Sequence, residues 1–245
     1  NTSGGYGIIS HPAWTGYPVT NAKLNELKYP VIGLEVYNMV ISEEAQRYAD
    51  SFWDAQLSQG RKWFGFAADD AHYSANLGYC ENIVNAENNN AATINQEIKN
   101  GNFYIVSATD TRISNFSMDS TGLCSITYDH TMSTITWIKK YGAVAKEEYN
   151  TTISTYQIVG DEMYVRVKAG KPSINTYDTN GYVWTQPIFI YSPEDQYKYD
   201  LYIDTGNILR GNATIDVGTA KTLNTALYVI QRSSLAKTVD INNAT

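Results

Sequence analysis

The sequence predicts an α/β portion followed by an all-β portion, and three observations lead there. Up to residue 107, short apolar runs alternate with stretches of helical periodicity, the pattern of strands and helices taken in turn. After residue 108 helical periodicity stops and period-two alternation replaces it. The 245 residues are 43% hydrophobic, enough to bury a core of ordinary size. The expected division is 1–108 for the α/β part, 109–193 for an antiparallel, sandwich-like β domain, and 194–245 for a further β-rich segment.

In order, Gly7-Ile8-Ile9 reads as a short strand running into His11, with Pro12 stopping the ladder. A helix is expected over 20–28, then a strand over 31–36 in the apolar run that closes on Glu35 and Asn38. The helix expected over 42–59 carries the clearest signals. Ser42, Glu44 and Ala45 suit its start, Tyr48, Phe52, Ala55 and Gln56 follow helical spacing, and Gly60 suits its stop. Trp53 and Asp54 on it read as packing residues. A strand over 62–67, a helix over 91–100 and a strand over 103–107 complete the alternation, which implies a parallel sheet. Beyond it, Ser125-Ile126-Thr127-Tyr128, Thr134 to Ile138 and Met163 to Val167 alternate as antiparallel strands. Turn signals stand at Tyr141-Gly142, Gly160-Asp161 and Asn180-Gly181. His130 reads as a surface turn histidine. Apolar runs at 200–203 and 226–230 give the tail its β character.

Candidate chemistry lies at three strand ends. The run Trp63 to Ala68 ends in Asp69-Asp70-Ala71-His72, and in an extended chain Asp70 and His72 point to the same side. His11 and Glu35 close the two earlier strands. Carboxylates and imidazoles delivered to strand ends are what a metal site requires, although each residue singly also suits a structural hydrogen bond.

The order of these motifs carries a family resemblance. His11-Pro12-Ala13-Trp14, Leu34-Glu35-Val36-Tyr37-Asn38, Trp53-Asp54 with Leu57 and Gly60, and Asp69-Asp70-Ala71-His72 resemble the later half of a PHP (polymerase and histidinol phosphatase) domain. Ile98 to Tyr104, Tyr164 to Val167 and Trp184 to Phe189 extend the similarity over roughly residues 6 to 190. The resemblance implies part of a distorted (β/α)7 barrel and a metal-dependent phosphoesterase. His11, Asp70 and His72 would be metal ligands, with Glu35 and Asn38 lining the mouth. Two or three Zn, Mn or Fe ions and a small phosphorylated substrate are implied. The family also contributes an H-x-H strand, a further histidine and a glutamate ahead of the His-Pro element. This chain shows none of these, and its three histidines are His11, His72 and His130. The expectation is therefore an incomplete chain, inactive alone, that partners the missing N-terminal segment or a second copy. The alternative is a non-catalytic relative acting as an extracellular glycan- or protein-binding module, with Tyr182 and Trp184 as candidate stacking residues. A cell-surface structural protein is a third reading.

Composition excludes some partners. A net charge of −7, a pI near 4.9 and no Lys/Arg cluster remove the electrostatic footprint of nucleic-acid binding. No run of eighteen apolar residues suggests a membrane span. Twenty Tyr with abundant Asn and Thr suit an extracellular or cell-surface location. N-x-S/T triplets at Asn115, Asn150 and Asn212 are what an Asn- and Thr-rich chain produces by chance. Cys80 and Cys124 suit a disulfide or two free thiols equally.

Overall fold

The computed structural model describes residues 5–16, 18–27, 30–174, 178–190, 227–230 and 236–239. The chain is mixed α/β with strands predominating, an α/β portion leading into a β-rich one. Two compact units divide it: residues 1–19 with 29–192, and residues 20–28 with 193–245.

In the first unit, β1 (Gly7–Ile9), β2 (Val31–Asn38) and β3 (Phe64–Ala68) form a parallel sheet in that spatial order. Burial deepens along β2, where Leu34, Val36 and Tyr37 are wholly enclosed, as in a parallel strand covered on both faces. The segment between β2 and β3 forms two helices, α2 (Glu44–Arg47) and α3 (Asp50–Ser58), instead of the single helix expected over 42–59. Tyr48 is the reason. Its backbone is extended and bridges Tyr37 of β2, so Tyr48 leaves the helix to pair with the sheet. The stop is as expected: Gly60, at φ 83°, donates to Leu57, while the Arg61 N–H reaches back to Gln56. That double closure satisfies two carbonyls at the helix end. Trp53 of α3 lies against Gly65, where any Cβ would fall 2.8 Å from the indole.

The remaining strands of this unit build one curled antiparallel sheet, not the two faces of a sandwich. They are β4 (Cys80–Val84), β5 (Phe103–Ser107), β6 (Ile113–Met118), β7 (Leu123–Lys139), β8 (Ala143–Gln157), β9 (Tyr164–Pro172), β10 (Asn180–Thr185) and the short β11 (Ile188–Phe189). The path runs β4-β5-β10-β9-β7-β6, with β8 along the other side of β7 and β11 on β9. The helix α4 (Ala91–Asn100), capped by Asn90, joins β4 to β5. The expected strand 103–107 is present, yet it pairs antiparallel with β4 and β10, so the boundary expected at 108 falls inside a continuous sheet. The seventeen-residue β7 changes register between Thr127 and Met132. Its first half pairs with β6 and its second with β9. His130 sits at this irregularity, within a strand and not a turn, exposed and 2.8 Å from Asp129.

Val106, Ile126, Ile135, Trp137, Val165, Val167 and Val183 form one buried cluster of this sheet. Alternation along β9 turns Tyr164, Arg166 and Lys168 to the opposite face, toward α3. There Arg166, fully buried, donates from Nε and Nη2 to Asp54 at 2.8 and 2.6 Å, and Tyr164 donates to the same carboxylate. Lys168 pairs with Asp50 at 2.8 Å among the rings of Tyr48, Tyr182 and Trp184. Trp53 and Asp54 are thus packing residues, as their place on the helix suggested.

Two amide side chains join the two sheets. Gly65 exchanges both backbone hydrogen bonds with Gln186, at 2.8 Å each, and Ala67 does the same with Asn82, at 3.1 and 2.8 Å. Residues 65 and 67 present their backbone groups to one edge of β3, so Gln186 and Asn82 stand in for a fourth strand and seal it.

In the second unit, α1 (Asn21–Asn25), shorter than the expected 20–28, is capped by Thr20. The strands β12 (Leu227–Ile230) and β13 (Ala236–Val239) pair antiparallel. The rest of the segment expected at 194–245 lies outside the described residues, as does Asn212. No helix of the described residues is long and apolar enough to cross a membrane.

Candidate functional site

The C-terminal ends of β1, β2 and β3 lie side by side because the strands are parallel and in register. Adjacent C-terminal strand ends are where open α/β sheets commonly place ligands. Glu35 and Asn38 come from β2, His11 follows β1, and Asp70 follows β3. The His11 backbone N–H donates to Glu35 Oε2 at 2.7 Å. Asn38 Nδ2 donates to the same Oε2 at 3.0 Å and to Asp70 Oδ2 at 3.2 Å. Four of the five residues singled out from sequence therefore meet here.

Asn38 fixes the character of the cluster. With two carboxylate oxygens around its nitrogen, the amide has one sensible orientation, since the flipped amide would set oxygen against oxygen. That orientation leaves Oδ1 buried and without a partner, in a residue only 2% exposed. Buried amide oxygens are nearly always satisfied, so this one marks a place where a donor or a cation belongs.

Backbone strain coincides with the cluster. His11 and Asp70 adopt φ of 30° and 50°, values that side chains other than glycine rarely take. For Asp70 this corrects the expected alternation: β3 ends at Ala68, the chain turns, and Asp70 and His72 are not successive positions on one strand face. His72 lies exposed on the following loop. The His11 ring stands perpendicular to Trp14, with centroids 5.2 Å apart.

Asp69 does different work from its neighbour, a distinction the Asp-Asp pair did not reveal in sequence. Its carboxylate accepts the N–H groups of Gly78, Tyr79 and Cys80 at 2.6, 3.0 and 2.9 Å, closing the base of the loop that carries His72. The Cys80 thiol lies 3.3 Å from Asp69 Oδ1. Burial first, then the charge of Asp69 and its hydrogen bond, with Glu35 adding, push that thiol far above its ordinary range. A thiol held in its protonated form in this way is a poor nucleophile. Cys124 is also a free thiol, buried and pushed up to about 11, so the two cysteines are unpaired. Trp184 is wholly buried, which removes it as a sugar-stacking residue.

The residues fit part of a metal ligand set. Two carboxylates and a lone amide oxygen are donors that hard and borderline cations accept. Among the described residues, however, no three His, Cys, Asp or Glu side chains gather as a metal group. The strand ends supply the oxygen donors without a converging pair of imidazoles.

Comparison with protein-family models, with curated proteins and with solved structures found no match.

Proposed function

We propose that this chain carries the acidic side of a metal-dependent phosphoesterase site of PHP type, with the α/β portion as part of that family's barrel. The observation that supports the reading best is the Asn38 amide, which holds Glu35 and Asp70 together while its own oxygen stays buried and unpartnered. Divalent ions at such a site lower the pKa of bound water and neutralise charge developing on a phosphoester. The chain's own residues have separate tasks. Asp70 and Glu35 offer carboxylate oxygens, Asn38 sets the spacing between them, and the His11 N–H orients Glu35. Asp69 ties the loop bearing His72 to the strand end. The remaining ligands come from outside the three strand ends, from a further segment or a second copy.

Metal analysis of the 245-residue chain by mass spectrometry, with Glu35→Gln and Asp70→Asn beside it, tests the reading. Retention of Zn, Mn or Fe by the native chain and its loss in both variants are expected, together with metal-stimulated cleavage of 4-nitrophenyl phosphate once the remaining ligands are supplied. Equal metal content in all three would overturn it. A second reading, a non-catalytic PHP-like relative that binds a glycan or protein outside the cell, is favoured by the absence of a converging ligand triad among the described residues. Lack of metal binding together with saturable glycan binding would select it.

A further inference from the structure

Chance accounts for how many N-x-S/T triplets the chain holds, but not for where each one stands. Among the described residues there are Asn115-Phe116-Ser117 and Asn150-Thr151-Thr152, and their surroundings differ. Asn115 lies within β6, paired with Thr127 of β7, and its Nδ2 donates to Ser117 Oγ, the hydroxyl of its own triplet, at 3.3 Å. Asn150 is exposed and turns the chain at φ 52° in the middle of the fifteen-residue β8. Asparagine tolerates that left-handed conformation better than most residues, so the backbone alone explains the residue type. It does not explain the free side chain. Among the described residues no hydrogen bond engages the Asn150 amide or the Thr152 hydroxyl, whereas Thr151 between them is turned onto the backbone. Thr151 Oγ1 accepts the Ile153 N–H at 3.2 Å and donates to Ile153 O at 3.0 Å. The strand also has an open side, since among the described residues β8 pairs with β7 alone. Tyr149 and Ile153, flanking the triplet, are 61% and 55% exposed. A bulky group on Asn150 therefore meets no neighbouring strand, and it would cover a sheet edge that otherwise invites pairing with another chain.

We infer that Asn150 is the acceptor of an N-linked oligosaccharide, with Thr152 supplying the hydroxyl that the transferring enzyme reads. The donor is an oligosaccharide carried on a lipid diphosphate. A bond forms between Asn150 Nδ2 and the sugar C1 as the bond from C1 to the diphosphate oxygen breaks. The lipid diphosphate leaves with that electron pair and takes up the proton lost from Nδ2, so nothing is oxidised or reduced. The inference goes with export of the chain, as in the second reading above, and does not depend on phosphoesterase chemistry.

The test produces the 245-residue chain behind a cleavable secretion signal in glycosylating eukaryotic cells. Secreted and retained chains are pooled, because transfer precedes release. Peptide N-glycosidase in heavy-oxygen water converts each glycan-bearing asparagine into a labelled aspartate, which peptide mass spectrometry locates. Label at Asn150 in most chains, and less at Asn115, is expected. Thr152→Ala and Asn150→Gly are expected to lose the label at this position, and Thr152→Ser to keep it. Glycine suits the φ of 52°, so its loss of label does not report misfolding. No label at Asn150, or label there that survives Thr152→Ala, overturns the inference. The second reading is tested apart, by glycan and partner binding of the unglycosylated chain. A chain that binds neither yet carries the label at Asn150 removes that reading and upholds the acceptor.

Discussion

Asn38 serves two acceptors with one nitrogen, so its loss separates the structural and chemical parts of the cluster. Asn38→Leu leaves Glu35 and Asp70 facing each other with no shared donor. We expect a loss of about 1–3 kcal/mol, the scale of an unsatisfied buried group, measured by chemical denaturation. A second carboxylate gives a pH prediction. Glu162 is nearly buried, which alone would raise its pKa, yet the Tyr156 hydroxyl and the N–H groups of Val159 and Gly160 prevail and hold it below the ordinary carboxylate range. With the folded value below the unfolded one, its contribution is present above the unfolded pKa of about 4.3 and fades as pH falls through the folded value. Glu162→Gln is therefore expected to flatten the acid side of a plot of melting temperature against pH. An unchanged acid limb would show that the carboxylate contributes nothing. At this scale the sequence marked residues that lie together and was silent about their division of labour. It singled out His11, Glu35, Asn38, Asp70 and His72, of which the exposed His72 does not join the others, and because Asp69 and Asp70 are the same side chain, only the turn at φ 50° separates a loop clamp from a candidate-site residue.

At the scale of elements, β3 owes its place to side chains from β4 and from just beyond β10. Gln186→Leu removes the partner of both Gly65 backbone groups, and Asn82→Leu does so for Ala67. Each is expected to destabilise by about 1–3 kcal/mol and to accelerate hydrogen exchange at Gly65 or Ala67 respectively. Retained protection in either variant would mean that another group seals the edge. The Arg166 cluster joins α3 to β9 in the same way. Arg166→Ala strips the buried carboxylate of Asp54 of its bidentate partner and is expected to remove about 3–5 kcal/mol, far more than the loss of an exposed pair such as Arg112–Glu81. Helices and strands with strong local signals were legible: α4, the stop at Gly60 and the strand over 103–107 stand where periodicity and glycine placed them. Pairing was not. Nothing local in Phe103 to Ser107 distinguishes a parallel neighbour from an antiparallel one, and Tyr48 keeps helical spacing while its backbone pairs with Tyr37.

Over the whole molecule, the first unit sets a small parallel sheet against a curled antiparallel one, and the candidate site lies where the parallel strands end. The sequence foretold that α/β strands precede a β-rich region, because periodicity is a local property. It did not foretell that β4 and β5 belong to the antiparallel sheet, since strand order is decided by contacts between distant residues such as Trp184 and Ile105. The proposed function requires a divalent cation on carboxylate oxygens of Glu35 and Asp70, beside the Asn38 amide that joins them. Crystals grown with Mn and measured at its absorption edge test this most directly. An anomalous peak within about 2.0–2.6 Å of carboxylate oxygens of Asp70 and Glu35, the range of metal–oxygen bonds, and its loss in Asp70→Asn are expected. No peak at the strand ends under saturating Mn, or one unaffected by Asp70→Asn, would contradict it.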